Sequence, residues 1–177
     1  MNPRRPGLSL AFGFVTAARC YNRSMDRTEI TAYLRQLPDL IDEVIDGLPD
    51  EALRRRPSLD EWSILEVCCH LRDGAEEEGV RVRRLSEEEN PTLVPYDQEA
   101  LARDRDYQGD DIRRVRTALR AFWGGLAYQL EGLTDEQWER AGIHPEIGRV
   151  TVRSQAERQV EEGQAHLAQL KAVRESL

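Results

Sequence analysis

The chain has 177 residues, 40% of them hydrophobic and 33% charged, with few aromatics and a formal net charge of -8. That length suits about one domain, able to bury a core without staples. The negative balance argues against sequence-independent nucleic-acid binding, which needs Lys and Arg to displace phosphate counterions.

Basic runs at 53–57, 81–84 and 112–116 each border acidic residues and read as solvated helix faces. No apolar run reaches the ~18 residues of a transmembrane helix, so no membrane partner is expected. Three cysteines, Cys20, Cys68 and Cys69, make no disulfide framework and favour a reducing, cytoplasmic setting.

Residues 1–24 have a basic start, a short apolar stretch and small residues before Cys20, the outline of a secretory or twin-arginine signal. Pro and Gly after the arginine pair, and Arg19 directly before Cys20, depart from that pattern. The segment reads instead as an extension outside the fold, with Met25 as the start and 25–177 as the folded domain.

From 28 to 48, Ile30, Tyr33, Leu34, Leu37, Ile41, Val44, Ile45 and Leu48 follow the three-and-four spacing of an amphipathic helix. Pro38 predicts a kink or a frayed first turn there, and a turn-rich connection follows. Ser58 and Glu61 have the form of a capping box, so a second helix is predicted from about 60 to 85. The polar stretch beyond it, with two prolines, reads as a long loop.

A third helix is predicted over 110–130, carried by Ile112, Val115, Leu119, Phe122, Trp123, Leu126 and Leu130. A short turn or helix ends near Trp138, and an extended or irregular segment follows. Thr151 then caps a fourth helix to about 174, with Val152, Ala156, Val160, Gly163, Leu167, Leu170 and Val173 inward. Four amphipathic helices without a convincing alternating strand or an internal repeat make an all-α four-helix bundle.

Bundle sites are built from side chains projecting inward off facing helices. The second helix offers His70, after Cys68 and Cys69; the fourth offers Glu162 and His166, four residues apart and so on one face, roughly 6 Å from each other. Together they make a His, Glu, His set with an open fourth position, as in catalytic zinc sites. Against it stands the plainer reading of a hydrogen-bonded core histidine and an exposed charge pair. Gly163 is costly inside a helix and suggests close approach of a neighbour. Cys68 and Cys69 read as packing residues, and His144 as a loop residue rather than a fourth ligand. Glu66, Asp73 and Gln169 are candidates to orient the imidazoles or, for the two acids, plain surface charges.

The segment from Glu61 to Glu78, with a Trp-Ser opening and a His-Leu element, resembles the helix of the DinB/YfiT-like superfamily. Residues 160–170, closing on Leu-Ala-Gln, are similar to that family's last segment, and 132–138 to its turn; the likeness covers about 27–174. It implies an up-down-down-up four-helix bundle with a long loop between helices 2 and 3, and a divalent metal held by three histidines. His70 and His166 stand at the first and third ligand positions; Glu162 replaces the second histidine and changes the site's charge and hardness. Zinc or nickel is then expected, manganese or iron being alternatives.

The resemblance further implies a metal-dependent S-transferase that uses a bacillithiol- or mycothiol-type thiol on small electrophiles in stress or detoxification. Two alternatives stay open: a metal-dependent hydrolase, and a non-catalytic stress-associated protein with a vestigial site. A small-molecule substrate and a homodimer are the partners it suggests; no basic surface supports contact with nucleic acid.

Overall fold

The first helix begins where an aspartate can cap it. In the computed structural model, which describes residues 25–95 and 97–177, α1 spans Arg27–Ile45, and Asp26 Oδ1 accepts from the Glu29 amide at 2.8 Å. Glu29 Oε2 accepts from the Asp26 amide at 2.8 Å in return, so the first turn is capped rather than frayed. Helical conformation continues through the buried Pro38; its missing N–H removes one intrahelical bond and does not end the helix. The extension at 1–24, with Cys20, lies outside the described residues.

The turn-rich connection contains a short helix, α2 (Asp50–Arg54). The next helix, α3 (Ile64–Glu87), starts later than predicted because its capping box is Ser63 with Glu66 rather than Ser58 with Glu61. The Ser63 amide donates to Glu66 Oε2 at 2.9 Å, and the Glu66 amide donates to Ser63 Oγ at 3.3 Å. Arg56 Nε and Gln108 Nε2 also donate to Glu66 Oε2, at 2.9 and 2.6 Å. These tertiary partners select the second of two boxes that local sequence makes equivalent.

The long connection is more structured than a loop. It holds α4 (Gln98–Asp104) and a 3-10 turn at Tyr107–Gly109. Buried Asp73 fastens that turn to α3, accepting from Tyr107 Oη at 2.6 Å and Arg105 at 2.8 Å. Then come α5 (Ile112–Glu131) and α6 (Asp135–Trp138).

The segment expected to be extended or irregular is a β-hairpin, β1 (Ala141–His144) with β2 (Gly148–Thr151), antiparallel with Ala141 opposite Thr151. Thr92 bridges to Ile143 on the hairpin's other edge, with Leu93 N–H donating to the Ile143 carbonyl at 2.8 Å. The approach is close: a Cβ on Gly142 would sit 2.4 Å from the Pro91 carbonyl oxygen. Thr151 caps α7 (Val152–Glu175), as the sequence predicts.

The four long helices α1, α3, α5 and α7 form the bundle around one apolar core. Cross-helix contacts fix their directions. Arg35 meets Glu131 at 2.7 Å while Arg116 meets Asp42 at 2.5 Å, so α1 and α5 are antiparallel. Gly163 packs on Leu37, and Arg174 donates to the Val44 carbonyl, so α1 and α7 are parallel. Arg72 reaches Asp110 at the start of α5 while Gly79 lies beside Gln129 near its end, so α3 and α5 are parallel. The resulting order is up-down-down-up. The two down helices follow one another in sequence, so the chain must travel the bundle's length between them, which is why that connection is long. No helix among the described residues is long and apolar enough to cross a membrane.

Candidate metal centre

The first two turns of α3, Ile64 to Leu71, are buried on every side, by the bundle and by the 3-10 turn. His70 lies on the side facing α7. On α7 the buried positions Val160, Gly163, His166 and Leu170 set one inward stripe, with Glu162 at its edge. Gly163 bears out the expected close approach: a Cβ there would meet Leu37 Cδ2 at 2.7 Å and Tyr33 at 3.2 Å. The bare backbone lets α7 sit tightly on α1.

His70, Glu162 and His166 come together. Nε2 of His70 and Nε2 of His166 each lie 3.1 Å from Glu162 Oε1. All three donor atoms fall within 4.8 Å of one another, and the imidazole rings stand edge to face at 4.7 Å between centroids. The histidines are 3% and 7% exposed, whereas the Glu162 side chain is 43% exposed, so the cluster opens on its carboxylate side. Trp62 covers His70 on another side, ring centroids 5.3 Å apart.

The hydrogen bonds assign the protons. Nδ1 of His166 lies 2.8 Å from Gln169 Oε1; an amide oxygen only accepts, so Nδ1 carries the hydrogen. In the neutral ring Nε2 is then a lone pair aimed at a carboxylate oxygen. Two acceptors at that distance repel unless a second proton or a cation stands between them. With a proton on each Nε2, hydrogen bonds from His166, then from His70, would hold the Glu162 carboxyl far below the usual range, against burial. Burial dominates at His70 and lowers its pKa despite Glu162, leaving the neutral imidazole that metal coordination requires.

The donor set suits a divalent ion: two ligands of a tetrahedral ion with bonds near 2.0–2.1 Å lie about 3.3 Å apart, close to the 3.1 Å seen for each His–Glu pair. Gln169 does for His166 what the sequence suggested. Glu66 and Asp73 do not orient His70, and neither is a surface charge. Both are buried, Glu66 in the Ser63 cap with Arg56 and Gln108, Asp73 with Tyr107, Arg72 and Arg105.

Cys68 and Cys69 are fully buried, and desolvation pushes both thiols up, Cys68 to about 12; they pack rather than react. His144 ends β1 instead of lying in a loop. It stands outside the cluster, Nδ1 accepting from the Glu146 amide at 3.3 Å.

A cleft of about 120 Å³ adjoins the cluster. His70 and Glu162 form part of its wall, with Glu78, Arg81, Trp123 and Gln159 beside them. As cleft residues these four escaped the sequence reading, though Glu78, two turns after His70, shares its helix face and gave a usable signal.

The sequence model of the DinB superfamily matches residues 33–170. Relatives named as candidate metal-dependent hydrolases include one from Bacillus cereus, 25% identical, the match covering 89% of this chain and 92% of the relative. Another, from Oceanobacillus iheyensis, is 27% identical over 77% of this chain and 79% of its own. YfiT from Bacillus subtilis is 26% identical, and the match spans 64% of each chain, just under two thirds of YfiT's length.

Among solved structures, Bacillus subtilis YfiT, described as having an unusual four-helix bundle topology, superposes with a TM-score of 0.79 at 22% identity, covering 86% of this chain and 90% of that one. A mycothiol-dependent maleylpyruvate isomerase gives 0.66 at 11% identity, over 82% of this chain and 61% of the isomerase. At such identities both show a common fold.

Proposed function

The chain belongs to the DinB superfamily, and from that premise we propose that it is a metal-dependent enzyme acting on a small molecule, with His70, Glu162 and His166 as the metal ligands. The observation that carries this reading is the convergence of two buried imidazoles and one carboxylate on a single point at the wall of a cleft. When bound, a divalent ion supplies Lewis acidity and lowers the pKa of a water or thiol that reaches its open position.

The chain's own residues do the rest. His70 offers a neutral ring because burial disfavours its cation. Gln169 keeps the His166 proton on Nδ1 and so turns Nε2 inward. Glu162 brings a negative charge that offsets part of an ion's. Its exposed side, together with the cleft, leaves room for the reacting molecule. Hydrolysis is the leading reaction, in line with the names of the relatives.

Transfer of a bacillithiol- or mycothiol-type thiol to a small electrophile is the second reading. Among the described residues Cys68 and Cys69 are buried, so in this reading the reacting thiol is the co-substrate's and not theirs.

Elemental analysis of protein purified without added metal tests the premise. About one divalent ion per chain is expected, lost in His70→Ala and in His166→Ala. A metal-free wild type whose thermal unfolding is unchanged by chelator would overturn the reading. Ester and amide hydrolysis, assayed beside bacillithiol, mycothiol and glutathione with a model electrophile, then separates the two reactions.

A further inference from the structure

Beyond the ligands, Glu78 and Trp123 in the cleft wall each carry a buried polar atom without a hydrogen-bond partner. Glu78 on α3 is 1% exposed; its Oε2 accepts from Gln159 Nε2 at 3.3 Å and faces Arg81 at 3.8 Å, while its Oε1 has no hydrogen-bond partner. Trp123 on α5 is equally buried, and its indole Nε1–H is also without one. Both side chains line the cleft that His70 and Glu162 line. Buried polar groups are nearly always satisfied, so two orphans in one cleft call for an explanation.

Their chemistry is complementary. An indole N–H can only donate and an ionised carboxylate oxygen can only accept. A group that serves both must accept one hydrogen bond and donate another. Hydroxyls and amides do so. A carboxylate would satisfy Trp123 but repel Glu78, and an ammonium would satisfy Glu78 but leave Trp123 unpaired.

We propose that Glu78 and Trp123 form a binding subsite for an uncharged hydroxyl or amide group, carried by the small molecule whose reacting end lies at the His70–Glu162–His166 centre. The placement of the reacting end rests on the function proposed above; the subsite itself does not. Burial raises the Glu78 carboxyl to about 7 even though Arg81 and Arg158 oppose the rise, so at pH 8 it is chiefly the acceptor that the argument requires.

The test uses the full chain, treated with chelator, with its tryptophan indoles labelled with nitrogen-15. Trp123→Phe assigns the Trp123 indole resonance. Acetamide, acetate and ethylammonium, similar in size and differing in charge, are titrated at pH 8. Acetamide should move the Trp123 resonance to saturation and leave that of Trp138 in place, since its Nε1–H already donates to the Leu130 carbonyl at 3.2 Å. Acetate and ethylammonium should bind at least about tenfold more weakly. Glu78→Leu should weaken acetamide by about tenfold as well, and Glu78→Gln, which keeps an acceptor oxygen, should restore it.

A Trp123 resonance indifferent to acetamide, or equally responsive to all three probes, would overturn the proposal. So would an unchanged response in Glu78→Leu. The comparison of probes needs no Glu78 variant, so it decides the matter even if Glu78→Leu does not fold. Metal content is measured on the same protein before chelator is added: an indole response in protein purified without ion would sink the metal reading alone, and the reverse result the subsite alone.

Discussion

Gly163 shows how one missing side chain positions a site. An alanine there gains about 1 kcal/mol of helix propensity, but its Cβ would lie 2.7 Å from Leu37 Cδ2 inside a closed core, and such overpacking costs roughly 1–3 kcal/mol. The steric cost wins. Gly163→Ala should destabilise the protein by about 1 kcal/mol in urea unfolding and, by displacing the adjacent Glu162, weaken zinc binding. Gln169→Ala should leave stability nearly intact yet lower zinc affinity about tenfold or more, because the His166 proton loses the acceptor that fixes its place; competition with a fluorescent zinc chelator measures this. At this scale the sequence was readable wherever spacing along one helix carries the information, as for Glu162 and His166. It was not readable for Glu66 and Asp73, whose partners Gln108, Tyr107 and Arg105 arrive from a connection more than thirty residues away.

Two capping boxes of the same form, at Ser58 and Ser63, precede α3, and only the second is made. Ser63→Ala should therefore cost about 1–2 kcal/mol, whereas Ser58→Ala should stay within about 0.5 kcal/mol of wild type; chemical denaturation of the two variants distinguishes them. The periodic helices were legible because each carries an apolar stripe over many turns, which sets element type well and boundaries less well. The hairpin was not, since four-residue strands built around Ala141 and Gly142 show no useful alternation. It depends on the chain at 91–93 for its second neighbour, a contact no local pattern encodes. Pro38 was over-read for a related reason: the packing of α1 against α5 and α7 outweighs one lost hydrogen bond.

Across the whole molecule, acidic side chains outnumber basic ones, and arginines of each basic run pair with acids, as Arg54 does with Asp50, Arg84 with Glu88 and Arg116 with Asp42. Carboxyls wholly or partly buried make stability depend on pH in two opposite ways. Hydrogen bonds and arginines hold Glu66 and Asp110 low against burial, so their contribution is complete above the ordinary carboxylate range and is lost as pH falls through their folded values. Glu78 moves the other way, from 4.5 to about 7. Between those values the unfolded chain releases a proton that the folded chain keeps, so stability declines as pH rises, by an amount on the order of 3 kcal/mol. Glu78→Gln should flatten that decline and be the more stable protein at pH 8, as followed by circular dichroism in urea.

The helix order has a consequence of another kind. Because α1 and α3 lie on one diagonal, and α5 and α7 on the other, every lengthwise packing surface joins the first half of the chain to the second. A polypeptide severed near residue 96 would yield two pieces, neither with a core of its own. Each should be a random coil in isolation, and mixing the two should restore the helical spectrum with one-to-one stoichiometry, as in a split-protein complementation pair. His70 would reside on one fragment and Glu162 with His166 on the other.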